Sequence, residues 1–238
     1  MHLFPISPKQ ARDGRNWSVR MATLTLVTFA LAMIAVPPCG PYCIENCLTY
    51  PYHDSMGQFP RDYIWIYLAL FQLVAYLVWT VHLHRVAGEE HKTNALLALL
   101  FGTLSAGVLL LTYWVQPAVV PLSLLKEEYD GIALLTMYNE HGLFIAQEEL
   151  GYLLMALSLF FFAPIFAQGP RHTLLKWLFR LPLPASVLAY LVLTLLHGFD
   201  RSYRFEVFVI SADWLVLIVA GYVLPAWFSK IQTNSKTH

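Results

Sequence analysis

Apolar residues run almost without interruption through six stretches of the chain. A bilayer core of about 30 Å needs roughly 20 apolar residues in helical form. The short alternating segments that are typical of transmembrane β-strands do not occur. The pattern therefore predicts an all-α polytopic membrane bundle with six transmembrane helices, at about residues 20–37, 62–83, 94–116, 143–167, 178–197 and 206–228.

The composition excludes several classes of protein. Of the 238 residues, 58% are apolar and 13% are charged, whereas a soluble domain has about half apolar and about a quarter charged residues. A soluble fold of this composition would expose large apolar patches. The same excess excludes a disordered chain, and a net charge of zero argues against a nucleic-acid binder. We expect one membrane domain over residues 1–238.

Lys and Arg residues indicate the orientation, because they accumulate in cytoplasmic loops. Eleven lie in the two tails and in the second and fourth loops, and only four lie in the other loops. This predicts a plasma (cytoplasmic) membrane protein with both termini in the cytoplasm, in tails 1–19 and 229–238. The first span begins like a signal peptide, but its apolar run is long, so we expect a retained helix that Pro37 and Pro38 end.

Two spans carry signs of a helix break. A single helix over residues 132–167 would be about 54 Å long at ~1.5 Å per residue, well beyond a bilayer. We therefore expect a break near Asn139–Gly142, with residues 120–142 on the outer surface or re-entering the membrane. In the fifth span, we expect regular helix to begin only after Pro182 and Pro184.

All three cysteines, Cys39, Cys43 and Cys47, lie in the first outer loop, which faces an oxidising compartment. Three thiols allow one disulfide, and the spacing does not fix which pair is joined. A disulfide is favoured over a metal site, and we reject an iron–sulfur site because that chemistry belongs on the reducing side.

Three carboxylates lie inside the predicted spans, where each charge costs at least about 2.5–3.5 kcal/mol and normally faces protein or water. Glu148 and Glu149 lie about 9 Å below the outer end of the fourth span, and Asp213 lies about 10 Å deep in the sixth, at ~1.5 Å per residue. We expect the acidic side chains of these two spans to converge on a water-filled hollow beneath the external surface.

Other polar side chains lie at that depth or nearer the outer surface, whereas the inner halves of the spans contain few polar residues. This distribution favours a cavity open to the outside over a channel, which needs polar groups along its whole length. The predicted ligand-binding residues are Glu148, Glu149, Asp213, His141, Tyr152, Tyr113, Trp114 and Gln72.

Several polar residues also have plainer interpretations. Trp114 fits the interfacial aromatic belt, and Gln72 fits a hydrogen bond that only joins two helices. The negative charge of Glu206, at the start of the sixth span, interacts favourably with the helix dipole. A carboxylate of the fourth span would be structural rather than ligand-binding if it paired with Arg201 or Arg204.

Six segments resemble a widespread group of uncharacterised six-span prokaryotic integral membrane proteins, over about residues 37–228. Members of the group tend to have proline where this chain has Glu140, a residue that would suit the predicted break. The resemblance implies a small six-span membrane protein and no activity, because none is assigned to the group. The segments are Tyr50–Asp54, Phe59–Trp65, Gly131–Leu135, Tyr138–Gly142, Gln147–Tyr152 and Tyr203–Val207.

No motif assigns a reaction or a cofactor. The sequence contains no zinc-protease motif, nucleophile elbow or phosphate-binding glycine loop. A metal would suit carboxylate and imidazole ligands, but their spacing matches no known signature, so no metal is assigned. The weak candidates for such a site are His141, Glu148, Glu149 and Asp213.

Three hypotheses of function follow. The first is a protein that binds a small cationic or amphipathic molecule, or a lipid, in an outward-facing acidic and aromatic pocket. The second is a membrane enzyme, with or without a metal, that acts on a lipid or a small apolar substrate at the outer leaflet. The third is an accessory subunit whose polar residues pack against a protein partner. We favour the first.

Overall fold

The computed structural model describes residues 7–35, 43, 47–167 and 171–234. Within these ranges the chain is helical, with turns and short 3₁₀ segments but no β-strand. The helices are α1 (Pro8–Ala35), α2 (Ile64–Arg85), α3 (Lys92–Ala118), α4 (Val120–Leu125), α5 (Ile132–Leu135), α6 (Leu143–Phe162), α7 (His172–Arg180), α8 (Pro182–His197) and α9 (Arg204–Asn234).

Six helical segments are long and apolar enough to cross a membrane, which confirms the number of predicted spans. The first span differs most from the prediction, because α1 already begins at Pro8. A helix of 28 residues is about 42 Å long and exceeds the bilayer core. Residues 8–19, which hydropathy placed in the N-terminal tail, therefore extend the helix beyond the apolar part.

The fifth span contains a break, but its position differs from the prediction. Regular helix was expected only after both prolines, whereas α8 begins at Pro182 and includes Pro184 in its first turn. Proline is tolerated there because the first turn of a helix needs no backbone N–H donors. The break falls at Leu181, which separates α8 from the preceding short helix α7.

Five spans form a closed ring in which α1 packs against α2, α2 against α3, α3 against α6, α6 against α9 and α9 against α1. The remaining span, the fifth, contains α8, which packs outside this ring against α6 and α9. Arg15 on α1 donates a hydrogen bond to Ser229 on α9 (3.0 Å), so α1 begins where α9 ends. We call this the termini end. The opposite end, with residues 47–63, 119–142 and 198–203, is the loop end.

The outer surface of the bundle is apolar, as a lipid environment requires. The large side chains Leu188, Leu195 and Leu196 of α8 are 62%, 86% and 70% exposed. A water-soluble protein rarely presents such a continuous apolar surface. The structure therefore agrees with the membrane class that the composition indicates.

Small residues let the spans approach closely. A Cβ atom added at Gly221 on α9 would lie 2.5 Å from the Cβ of Ala22 and 2.6 Å from the carbonyl oxygen of Ser18, both on α1. Such contacts are typical of helix pairs in membranes, where apolar side chains alone give little driving force for association. Gly151 has the same role between α6 and α3, where an added Cβ would lie 2.6 Å from Leu109.

The chain breaks before α6, as the length argument predicts. Gly142 precedes the first residue of α6 with an extended backbone (φ −81°, ψ 172°). A Cβ atom added at Gly142 would lie 3.0 Å from the carbonyl oxygens of Asn139 and Leu134, so glycine allows this close turn. The break therefore forms with Glu140, not proline, at this point of the chain.

Residues 120–142 fold over the loop end as the short helices α4 and α5, which pack against α3 and α6 respectively. The Gln116 side chain on α3 holds this segment by donating to the Leu135 carbonyl (2.7 Å) and accepting from the Met137 N–H (3.0 Å). Asn139 donates to the Ala133 carbonyl (2.7 Å). These side chains satisfy backbone groups that so short a helix leaves unpaired.

Cys43 and Cys47 form a disulfide, one of the pairings that three loop cysteines allow. The two residues are only four positions apart, so the bond constrains a short part of the first loop. Cys39 lies outside the described residues.

Replacing Gly221 with alanine should destabilise the bundle by about 1–3 kcal/mol, because overpacking forces α1 and α9 apart. The matched control is Gly107→Ala on α3, since a Cβ added at Gly107 meets nothing within 4 Å. Thermal unfolding of the detergent-solubilised protein should show a lower midpoint for Gly221→Ala only. Equal midpoints for the two variants would contradict the close contact between α1 and α9.

Candidate functional site

Two carboxyl groups meet between α6 and α9 inside the bundle. Glu148 on α6 is 1% exposed, and its carboxyl lies beside the carboxyl of Glu206 on α9. Neither oxygen of Glu148 has a hydrogen-bond partner of acceptable geometry within the described residues. Two adjacent carboxylates repel each other in a medium of low polarity. The pair is therefore stable only when a proton or another cation neutralises part of its charge.

Hydroxyl and indole groups from three ring helices meet next to this carboxyl pair. The hydroxyl oxygens of Tyr113 on α3 and Tyr152 on α6 lie 2.8 Å apart. The indole N–H of Trp214 on α9 donates to the Tyr152 hydroxyl (3.0 Å). The Tyr113 hydroxyl also lies beside the Glu148 carboxyl. All of these side chains are buried, so the bonds fix α3, α6 and α9 relative to one another.

Aromatic rings surround these polar groups and come from all five helices of the ring. Each contact has a tilted or edge-on geometry, which favourable pairs of rings adopt. The centroid distances are 5.5 Å for Trp65–Tyr113, 5.9 Å for Tyr113–Phe144, 6.2 Å for Tyr152–Trp214 and 5.8 Å for Trp214–Phe29.

A third carboxylate, that of Asp213, is 0% exposed, and neither of its oxygens forms a hydrogen bond within the described residues. It interacts electrostatically with Tyr152 and Tyr76. The sequence placed Asp213 level with Glu148, but the carboxyl beside Glu148 is that of Glu206, seven residues or about 10 Å earlier along α9. The depth of a residue was counted from the end of its own helix. Such a count does not show how far one helix is shifted along its axis relative to the other.

We call the set of Glu148, Glu206, Asp213, Tyr113, Tyr152 and Trp214 the acidic–aromatic cluster. Two further buried polar atoms lie on α2, the helix that packs beside α3. Gln72 donates to Thr25 on α1 (3.3 Å), but its carbonyl oxygen has no partner within the described residues. The indole N–H of Trp65, whose ring contacts Tyr113, also lacks one there. Gln72 therefore joins α2 to α1, as its plainer interpretation predicts. Its carbonyl oxygen remains an unused hydrogen-bond acceptor within the described residues.

The second carboxylate of the fourth span has a structural partner. Glu149 forms an ion pair with Arg201 (3.6 Å), and both side chains are 17% exposed. The Arg201 guanidinium also lies over the Tyr190 ring, 4.3 Å from its centroid, and donates to Thr194 (3.3 Å). These contacts tie the loop before α9 to α6 and α8. The interpretation of Glu149 as part of a structural bridge is thus confirmed, whereas Glu148 has no such partner.

Two predicted ligand-binding residues lie away from the cluster. His141 is exposed and precedes the first residue of α6, so it does not stand above Glu148 on a continuous helix. Trp114 is 60% exposed on the outside of α3, where it fits the interfacial belt. Within the described residues, no three His, Cys, Asp or Glu side chains are grouped closely enough to hold a metal ion. The four weak metal candidates are therefore not brought together.

A chain of hydrogen bonds closes the loop end above the cluster. The Tyr203 hydroxyl donates to the Tyr138 carbonyl (2.6 Å), and the Tyr138 hydroxyl donates to the Asp62 carboxylate (3.0 Å). These bonds connect the loop-end termini of α9, α6 and α2. Glu148 and Asp213 are almost fully covered, whereas Glu206 is partly exposed.

Glu206 is the site residue that the sequence interpretation missed. Its position near the start of α9 was explained by the helix dipole alone. The available signal was that α6 and α9 both run away from the loop end, so acidic residues near their starts can meet across the interface. The position of the Glu206 carboxyl beside that of Glu148 favours that second explanation.

Comparison with known proteins gives this site no precedent: the chain matches no family model, no curated protein and no solved structure.

Replacing Tyr152 with phenylalanine should destabilise the protein by about 1–3 kcal/mol, because the Trp214 N–H and the Tyr113 hydroxyl each lose a buried partner. Tyr67→Phe is the matched control, since Tyr67 is 42% exposed on the surface of α2. Chemical or thermal unfolding in detergent measures the stability of both variants. If Tyr152→Phe were as stable as Tyr67→Phe, the three-helix hydrogen-bond network would be refuted.

Proposed function

We propose that the chain is a plasma-membrane protein with both termini in the cytoplasm, and that its acidic–aromatic cluster binds a small organic cation from the external side. The unpartnered oxygens of Glu148, buried beside Glu206, carry the proposal. A buried charge without a partner costs several kcal/mol, whereas the same charge paired with a cation recovers much of that cost. The cluster is therefore suited to a positive group that the described part of the chain does not supply.

The aromatic rings favour an organic ammonium group over a metal ion. Trp and Tyr faces attract ammonium cations, with a gain of about 0.5–2 kcal/mol for each contact. The rings of Trp65, Tyr113, Tyr152 and Trp214 lie in contact within the same region as the carboxyl pair. Carboxylates combined with aromatic faces are the usual surroundings of a bound ammonium ligand. A metal ion would instead require more oxygen or nitrogen ligands.

A groove beside the cluster favours an amphipathic ligand that arrives through the lipid. It lies between α3 and α6, has a volume of about 80 Å³, and is lined mainly by apolar side chains. Two polar residues on its surface, Thr112 and Gln147, are hydrogen-bonded to each other (3.1 Å). Phe144 lines the groove and also contacts the Tyr113 ring of the cluster (5.9 Å). Movement of this one ring would connect the two.

Polar side chains nearer the termini end form satisfied hydrogen bonds, which favours binding or sensing over transport. Tyr76 donates to Ser158 (3.0 Å), and Ser158 donates to the Ala98 carbonyl. Trp79 donates to Ser18 (3.1 Å). These bonds hold α1, α2, α3 and α6 together below the cluster. A transport route would instead need polar groups free to receive the cation.

Choline should raise the unfolding temperature of the solubilised protein, whereas 3,3-dimethylbutan-1-ol, its uncharged analogue of similar shape, should not. At a choline concentration a hundred times its Kd, the expected stabilisation is ~2.7 kcal/mol. Glu148→Gln and Glu206→Gln should abolish the response, because each removes one charge of the pair. Glu128→Gln, at an exposed loop-end position, should retain it. Stabilisation by both compounds alike, or by neither, contradicts the proposal.

The orientation can be tested with reporter fusions in a bacterial host. A fluorescent protein fused after residue 238 should fluoresce, and alkaline phosphatase fused there should be inactive, because both results mark a cytoplasmic C-terminus. Alkaline phosphatase fused after residue 128, in the loop end, should be active. The opposite pattern would place the cluster on the cytoplasmic side.

A further inference from the structure

We infer that binding of an organic cation at the acidic–aromatic cluster, on which the proposed function rests, releases one proton from the carboxyl pair of Glu148 and Glu206. The site would then exchange a proton for the ligand instead of simply gaining a positive charge. This coupling makes ligand binding sensitive to the pH of the compartment that the loop end faces.

Even without a ligand, the carboxyl pair needs a proton or a cation that neutralises part of its charge. Glu148 and Glu206 approach each other from different helices, and Glu148 is almost fully covered. Two carboxylates this close cannot both be ionised in a low-polarity interior unless a cation lies between them. A single shared proton solves this problem, and it requires no more space than the structure already provides.

The surrounding groups do not neutralise the pair. Arg201, the cation that the structure brings to α6 at this level, is already bound to Glu149 and stacked on Tyr190. The other titratable groups near the pair are neutral phenols or further carboxyls. The titratable groups that interact with the pair are Tyr113 on α3 and Glu149 and Tyr152 on α6. One step further out, Asp213 interacts with Tyr152, and Arg201 with Glu149 and Tyr190.

The exchange is balanced in charge and atoms. Before binding, one carboxyl of the pair carries the O–H bond and the other is ionised. When the ammonium group arrives, that O–H bond breaks, its electron pair stays on the carboxylate oxygen, and the proton leaves to solvent. Glu206 is the partly exposed member of the pair, so the proton can leave to solvent from its carboxyl. The site thus holds two carboxylates and one ammonium group.

Isothermal titration of the full-length solubilised protein with choline, in several buffers of different ionisation enthalpy at one pH, tests the inference. We expect about one proton released for each choline bound, and an apparent Kd that falls by up to about tenfold for each unit rise in pH. Glu128→Gln should retain the release, because Glu128 lies at an exposed loop-end position outside the cluster. Glu206→Gln and Glu148→Gln should release none.

The outcomes separate the two claims. If the wild-type protein neither binds choline nor is stabilised by it, the proposed function fails. If choline binds but the heat of binding does not depend on the buffer, the proposed function stands and the proton exchange is overturned. Loss of proton release in Glu128→Gln, with choline binding retained, would also overturn the assignment of the proton to Glu148 and Glu206.

Discussion

The central constraint on this protein is the burial of two carboxyl groups against each other in a membrane-spanning bundle. Glu148 and Glu206 come from separate helices and meet where no basic side chain of the described residues pairs with either of them. A fold selected for stability alone would place apolar side chains there, since such a replacement is often neutral or stabilising. The arrangement therefore favours a chemical role for the pair.

The rest of the bundle keeps this pair in place. Small residues such as Gly221 and Gly151 bring the ring helices close together, and the bonds among Tyr113, Tyr152 and Trp214 fix three of those helices at the level of the pair. The nearby cation, Arg201, forms a structural ion pair with Glu149. Within the described residues, the unpartnered carboxylates at this level are therefore those of the cluster itself.

Hydropathy alone predicts six spans, because the bilayer sets both the length and the composition of a crossing helix. The break at Gly142 also follows from length. Contacts between helices are harder to predict: Glu206 and Asp213 both looked able to meet Glu148, and only the axial offset of α6 and α9 decides between them. Likewise, exposure of His141 and Trp114 depends on helix ends and rotation, which periodicity does not fix in a helix that is apolar on all sides.

Infrared difference spectroscopy of the purified protein, with and without choline at constant pH, tests the state of the carboxyl pair most directly. A protonated carboxyl has a C=O stretching band that an ionised one lacks. The account predicts that choline removes one such band from the wild-type spectrum, and that Glu148→Gln and Glu206→Gln lack this change while Glu128→Gln retains it. A wild-type protein with no protonated-carboxyl band at neutral pH before choline is added would contradict the account.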